Sequence, residues 1–291
     1  MGLVPPIKQF PLQLGSEAHK HAFCRMLLDT HNPYEPAVIE WPALPPDAHA
    51  RLTGLPIWDI AVQTEGRASI NVGSYTDLID DPLLREAVEL NAFEEARHKR
   101  VLAHMVAFYG IRLEPEPEYT TPRDREWAFM DTGFSECIDS FFAFGLFALA
   151  KRSGYFPPAL VRTFEPVMQE ECRHILFFVN WVAWHRRNLP LWQRPIFAAR
   201  VLALWIVQFC DRIKIAKSVG GKVADDNFTL TGSQAIGVDI SPRDLLDLCL
   251  AENDRRMASL DPRLKRPGVM PRLVRLVRPL LRSKAKSITS A

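Results

Sequence analysis

The sequence lacks paired cysteines, a strong net charge and any long unbroken apolar run, and each absence removes a class of protein. Its five cysteines, Cys24, Cys137, Cys172, Cys210 and Cys249, are scattered and odd in number, with no C-x-x-C pair. That pattern argues against a disulfide framework and against a thiolate-ligated zinc or rubredoxin-type iron site; it fits thiols kept reduced inside a cell. A net charge of +2 over 291 residues gives no strong basic field, so no nucleic-acid partner is expected. The most apolar stretch, Pro195–Cys210, is 16 residues long and contains Arg200. It is short for a bilayer and reads as a buried helix. The opening MGLVPPIKQFPLQLG has no basic region followed by an apolar one, so no signal peptide is expected and a cytoplasmic location is inferred.

What is present is helical. With 47% hydrophobic and 24% charged residues, the chain has the composition of a globular protein able to bury one large core. Residues 1–53 read as a proline-rich, irregular extension with one short helix at Ser16–Asp29. Helical periodicity over 54–187 divides into helix A at about 54–73, B at about 82–109, C at about 124–151 and D at about 158–187. Asp81-Pro82 and Pro157-Pro158 punctuate helix starts, while Gly110 and Ser153-Gly154 punctuate ends. Short A–B and C–D links make hairpins. The B–C link, Gly110–Asp124, carries Pro115, Pro117 and Pro122. Extended at about 3.1 Å per residue it reaches roughly 40 Å, the length of helix B at 1.5 Å per residue, so C can start parallel to B. Residues 188–260 read as further helices packed on the bundle, with Gly220–Ile240 a polar loop and a helix from the N-cap Ser241 to about Leu260. The fold class is all-α.

Helices B and D each carry an apolar seam at alternating three-and-four spacing, interrupted midway by glutamate and then histidine. The interruption reads Glu94-Glu95-Ala-Arg97-His98 in B and Glu170-Glu171-Cys-Arg173-His174 in D, the same E-E-x-R-H once per hairpin. Residues three apart share a helix face. Glu95 with His98 and Glu171 with His174 therefore offer carboxylate oxygen and imidazole nitrogen together, ligation suited to iron or manganese. Hairpin folding brings Glu65 of A and a carboxylate of C to the same level. On C the competitors are Asp131, Glu136 and Asp139, of which Glu136 lies on the seam Phe129, Gly133, Glu136, Ser140, Ala143, Phe147. Burying four carboxylates without countercharge costs many kcal/mol, and two divalent cations supply the charge.

On these residues the chain resembles the ferritin-like di-iron carboxylate superfamily, over roughly 54–187, under half of its length. In that group two helices each give one Glu and two others each give Glu-x-x-His. The resemblance implies a ferritin-like four-helix bundle with additional N- and C-terminal helices, holding two iron ions, or manganese or a mixed pair, on Glu65, Glu95, His98, Glu136, Glu171 and His174. The acid-Glu-x-Arg-His form is similar to bacterial multicomponent monooxygenases and soluble acyl-carrier-protein desaturases. It implies that Glu94 orients His174, that Glu170 orients His98, and that Arg97 and Arg173 hold the two acids.

Departures from other branches narrow the chemistry. Position 102 is Leu where a radical-generating ribonucleotide reductase subunit has Tyr; Val167 stands where arylamine N-oxygenases have a further His; and about 100 residues follow helix D, unlike storage ferritins. Gly133, Ser140 and Ala143 among Phe134, Phe141, Phe142 and Phe144 suggest either an apolar substrate pocket beside the metals or close helix packing. Ser140 takes the place of a monooxygenase Thr hydroxyl near bound oxygen. The expectation is an oxygen-activating oxidase or oxygenase for hydroxylation, desaturation or N-oxidation of a small organic substrate. A separate reductase or ferredoxin-type donor is needed, because no flavin or nicotinamide motif is visible. Manganese catalase, ferroxidase and a non-enzymatic iron-binding protein are the alternatives; a homodimer is compatible with all. Residues 261–291 form a basic tail with nine Lys or Arg after Asp261 and no acid. Its amphipathic stretch Met270–Arg282 either touches an anionic membrane surface or docks on protein.

Overall fold

The computed structural model describes residues 12–218 and 240–281; the tail beyond 281 and most of the 220–240 loop lie outside them. Every regular element among these residues is helical. The helices are α1 Glu17–Asp29, α2 Pro46–Thr53, α3 Trp58–Tyr75, α4 Pro82–Phe108, α5 Arg125–Ser153, α6 Pro158–Thr163, α7 Glu165–Asn188, α8 Gln193–Ser218, α9 Pro242–Met257 and α10 Val269–Val277.

Local chemistry sets most of these limits. Side chains of Ser16, Asp81, Asp124 and Ser241 accept hydrogen bonds from the backbone N–H three residues on, capping α1, α4, α5 and α9. Gly154, at φ +64°, closes α5 in the left-handed conformation. Two expectations are corrected. Helix D is broken at Phe164 into α6 and α7, because Pro166 has no N–H to donate to Arg162 and a continuous helix would clash there. The 1–53 extension holds a second helix, α2, which starts on Pro46 and carries an Arg51–Asp47 ion pair one turn apart.

Helices α3, α4, α7 and α5 pack in that cyclic order. Contacts fix their directions. Glu65 meets His98 and Gly73 meets Ala92 across α3–α4; Glu94 meets His174 and His98 meets Glu170 across α4–α7. Ser140 meets Glu171 and Gly133 meets Phe178 across α5–α7; Asn71 meets Thr132 and Tyr75 stacks on Phe129 across α3–α5. In every pair one number rises as the other falls, so all neighbours are antiparallel and α5 runs parallel to α4. The link between them passes along α3: Glu114 N–H donates to Asp59 (2.6 Å), and Tyr119 lies against Gly66.

One end of the ring is filled by Phe129, Phe134, Phe178 and Trp181, the other by Trp41, Trp58, Met105 and Tyr109. The middle is polar. Helix α1 covers the α4–α7 side, α9 lies on α5, and α8 packs on α5 and α7. Among the described residues α5 alone is long and apolar enough to cross a membrane, and 67% of its apolar window is buried in the bundle. The outer face of α8 is apolar, with Ile196, Leu202, Ile206 and Ile213 exposed.

Candidate metal centre

The polar middle belongs to α4 and α7. Glu95, His98, Glu171 and His174 each offer one ligand atom, all within 4.8 Å of one another, and the group can hold a metal ion. Both histidines are wholly buried and their ring centroids are 5.6 Å apart. Each imidazole has one outward and one inward nitrogen. Outward, His174 Nε2 lies 2.7 Å from Glu94 Oε2 and His98 Nε2 lies 2.8 Å from Glu170 Oε2, each carboxylate coming from the opposite helix. Inward, His174 Nδ1 lies 2.7 Å from Glu95 Oε1 and His98 Nδ1 lies 3.1 Å from Glu171 Oε1. These inward approaches are close but misaligned, and both Nδ1 atoms and Glu95 Oε1 are buried without a hydrogen-bond partner. Buried polar atoms are normally satisfied. Unpaired nitrogens and oxygens converging on one point are what a cation satisfies, so the residues fit a metal.

An outer layer locks the imidazoles. Arg97 donates to Glu170 Oε1 at 2.7 Å, and Arg173 donates to both oxygens of Glu94 at 3.0 and 3.2 Å. All four residues are at most 2% exposed. The segment after α1 completes both sides. His31 Nδ1 lies 2.6 Å from Glu94 Oε1, and Tyr34 O–H donates to Glu170 Oε2 at 3.3 Å, with its ring 4.0 Å from the Arg97 guanidinium. Carbonyls of Leu27 and Asn32 accept from Arg173 and Arg97. Sequence reasoning missed His31 and Tyr34. They sit in an irregular stretch with no periodicity, and their partners are 63 and 136 residues away.

Glu65 and Glu136 complete the interior. Glu65 Oε2 is 3.6 Å from His98 Nδ1. Burial pushes its carboxyl up to about 8, despite the opposing pull of His98. Glu136 Oε1 is buried without a partner. Burial, then the charges of Glu95 and Glu171, raise its carboxyl well above the usual range. For Glu171, burial raises the carboxyl, but the His98 contact and both imidazole charges outweigh it and hold it low. Burial lowers both histidines, yet the surrounding carboxylates win and raise them well above the usual value. With protons alone to balance the charge, the cluster retains protons where cations fit.

On α5, Asp131 accepts from Gln208, and Asp139 Oδ2 accepts from Arg212 and Ser135. Ser140 Oγ–H donates to Glu171 Oε2 at 3.1 Å. Ala143 is half-buried. Gly133 does not open a pocket: a Cβ there would lie 2.3 Å from the Phe178 ring, which fills the space.

The fold and this site define an all-helical protein with a buried Glu/His group able to hold a metal. Compared with known proteins, the chain matches no family model, no curated protein and no solved structure.

Proposed function

We propose that the chain is a ferritin-like di-iron protein that activates dioxygen and oxidises a small organic substrate, with electrons from a separate donor. The observation that carries this reading is the convergence of ligand atoms of Glu95, His98, Glu171 and His174 to within 4.8 Å of one another, with both Nδ1 atoms and Glu95 Oε1 buried and without a hydrogen-bond partner. Glu95, His98, Glu171 and His174 hold the ions, and Glu65 and Glu136 complete the set. Mixed carboxylate and imidazole ligation suits iron or manganese. Such ions, when bound, supply the redox equivalents that reduce dioxygen.

The chain's own residues prepare the site. Glu94 and Glu170 accept Nε2–H hydrogen bonds, which fixes the tautomer that leaves each Nδ1 lone pair directed inward. Arg97 and Arg173 hold the two acids in place by donating to their oxygens. Ser140 Oγ–H holds one Glu171 oxygen in orientation. Phe178 and Trp181 exclude water from one side.

Elemental analysis of the purified protein is expected to give two ions per chain, and the reduced iron form is expected to consume oxygen. A His98→Ala, His174→Ala double variant should lose metal while staying helical. One ion per chain, or full retention in the double variant, sinks the reading. A second reading, a manganese catalase or ferroxidase acting on a very small substrate, is favoured by Phe178 filling the space at Gly133. Oxygen evolution from peroxide without added reductant selects it.

A further inference from the structure

A separate cavity of about 260 Å³ lies between α5, α7, α8 and the 265–271 segment. It is not the interior of the metal group. On α7 its wall is Ile175, Val179, Val182 and Arg186, whereas Glu171 and His174 face the helix ring. On α5 its wall is Phe134, Cys137 and Phe141, whereas Ser140 faces Glu171. Two helices therefore stand between the cavity and the metal ligands. Val201 and Trp205 of α8 close the far side. The wall is rigid, because Asn180 accepts from Lys265 N–H and donates to Lys265 C=O, both at 2.9 Å, pinning the 265–271 segment to α7.

The cavity is apolar in its body and cationic on one side. Arg186, Lys265 and Arg266 all line it. Arg187 and Arg272 lie close enough to act on Lys265, which burial and then these arginines push below the usual lysine value. None of these five cations forms an ion pair with a carboxylate among the described residues; the acids near by, Asp261 and Asp254, are engaged with Arg263 and Arg275. Arg266 donates through Nη2 to Leu260 C=O, but its Nη1 is buried without a hydrogen-bond partner. Arg186 and Lys265 are exposed at the rim, whereas the buried Arg266 Nη1 is a cationic donor without an acceptor beside an apolar cavity, and a ligand with an anionic head and an apolar body suits both. The volume sits at the small end of ligand pockets, about 300–1,000 Å³, which limits that body to medium length.

We propose that this cavity binds a carboxylate with a medium-length alkyl body, its head held by Arg186, Lys265 and Arg266 and its chain lying against Phe141, Val179, Val182 and Trp205. The binding stands apart from whatever the metal centre does.

Isothermal titration of the full-length, metal-loaded protein with decanoate tests it. Saturable binding of one decanoate is expected, with decanol at least about tenfold weaker. Val201→Trp fills the cavity and should abolish binding. Arg186→Glu with Lys265→Glu changes only exposed positions and should weaken decanoate about tenfold or more. Metal content and helical circular dichroism, unchanged in both variants, show that the fold persists. No saturable binding up to about 1 mM, decanol binding as tightly as decanoate, or a Val201→Trp protein that folds and binds like the parent overturns the proposal. Capture by phosphatidylglycerol vesicles without decanoate binding also overturns it, in favour of a membrane-surface role for the same cations.

Discussion

Glu94 and Glu170 each collect three donors, two from the opposite helix and one from the segment after α1. Glu94 receives His174 and Arg173 of α7 and His31 from the segment after α1; Glu170 receives His98 and Arg97 of α4 and Tyr34. Removing either carboxylate strands a buried guanidinium and frees an imidazole to turn. Glu94→Ala and Glu170→Ala are expected to keep the helical spectrum but weaken metal affinity roughly 10–100-fold, read by chelator competition. Silence in both variants would remove the anchoring role. The third donors are unequal. His31 stands at 2.6 Å and the Tyr34 hydroxyl at 3.3 Å, and the Tyr34 ring keeps its place over Arg97 without the hydroxyl. Tyr34→Phe should therefore cost less affinity than His31→Ala in the same titration, and the reverse order would show that the ring contact matters little.

At the scale of the element, α5 is shaped by what presses on it. A Cβ on Gly145 would lie 2.3 Å from Cys249 Sγ and 3.0 Å from the Cys249 Cα, so α9 rests on bare α5 backbone there. Gly145→Val should force the two helices apart and destabilise the protein by about 1–3 kcal/mol, seen as a lower melting temperature with metal content intact. An unchanged melting curve would mean that α9 shifts freely. Gly133 stands in the same relation to Phe178. These contacts mark where the sequence is readable and where it is not. Helix limits are written locally, in Asp81-Pro82, Asp124 and Gly154, and the repeated E-E-x-R-H is visible because both copies interrupt an apolar period. Whether a small residue makes room for a substrate or for a ring depends on an element 45 residues away, and no spacing within α5 carries that information. The Phe164 break had a local sign in Pro166, outweighed by an apolar period that continues across it.

At the scale of the molecule, the centre is shared crosswise. The acid that orients His98 sits on α7, and the acid that orients His174 sits on α4. Neither the α3–α4 hairpin nor the α5–α7 half contains a finished half-site: each has a Glu-x-x-His whose imidazole lacks its anchor, and an anchor whose imidazole lies elsewhere. Cut in the α4–α5 link, the chain becomes two fragments, 1–115 and 116–291. Expressed singly, each is expected to bind divalent metal weakly or not at all. Expressed together, they should recover the ions of the intact chain, measured by elemental analysis of the purified pair. A single fragment that binds as well as the pair would contradict the crosswise arrangement. Metal capacity is thus a gauge of assembly. If the centre holds ions as proposed, loading belongs to the closing stage of folding, after the halves have docked, and because ions favour the docked state, a cell short of metal should show its shortage first as a less stable protein.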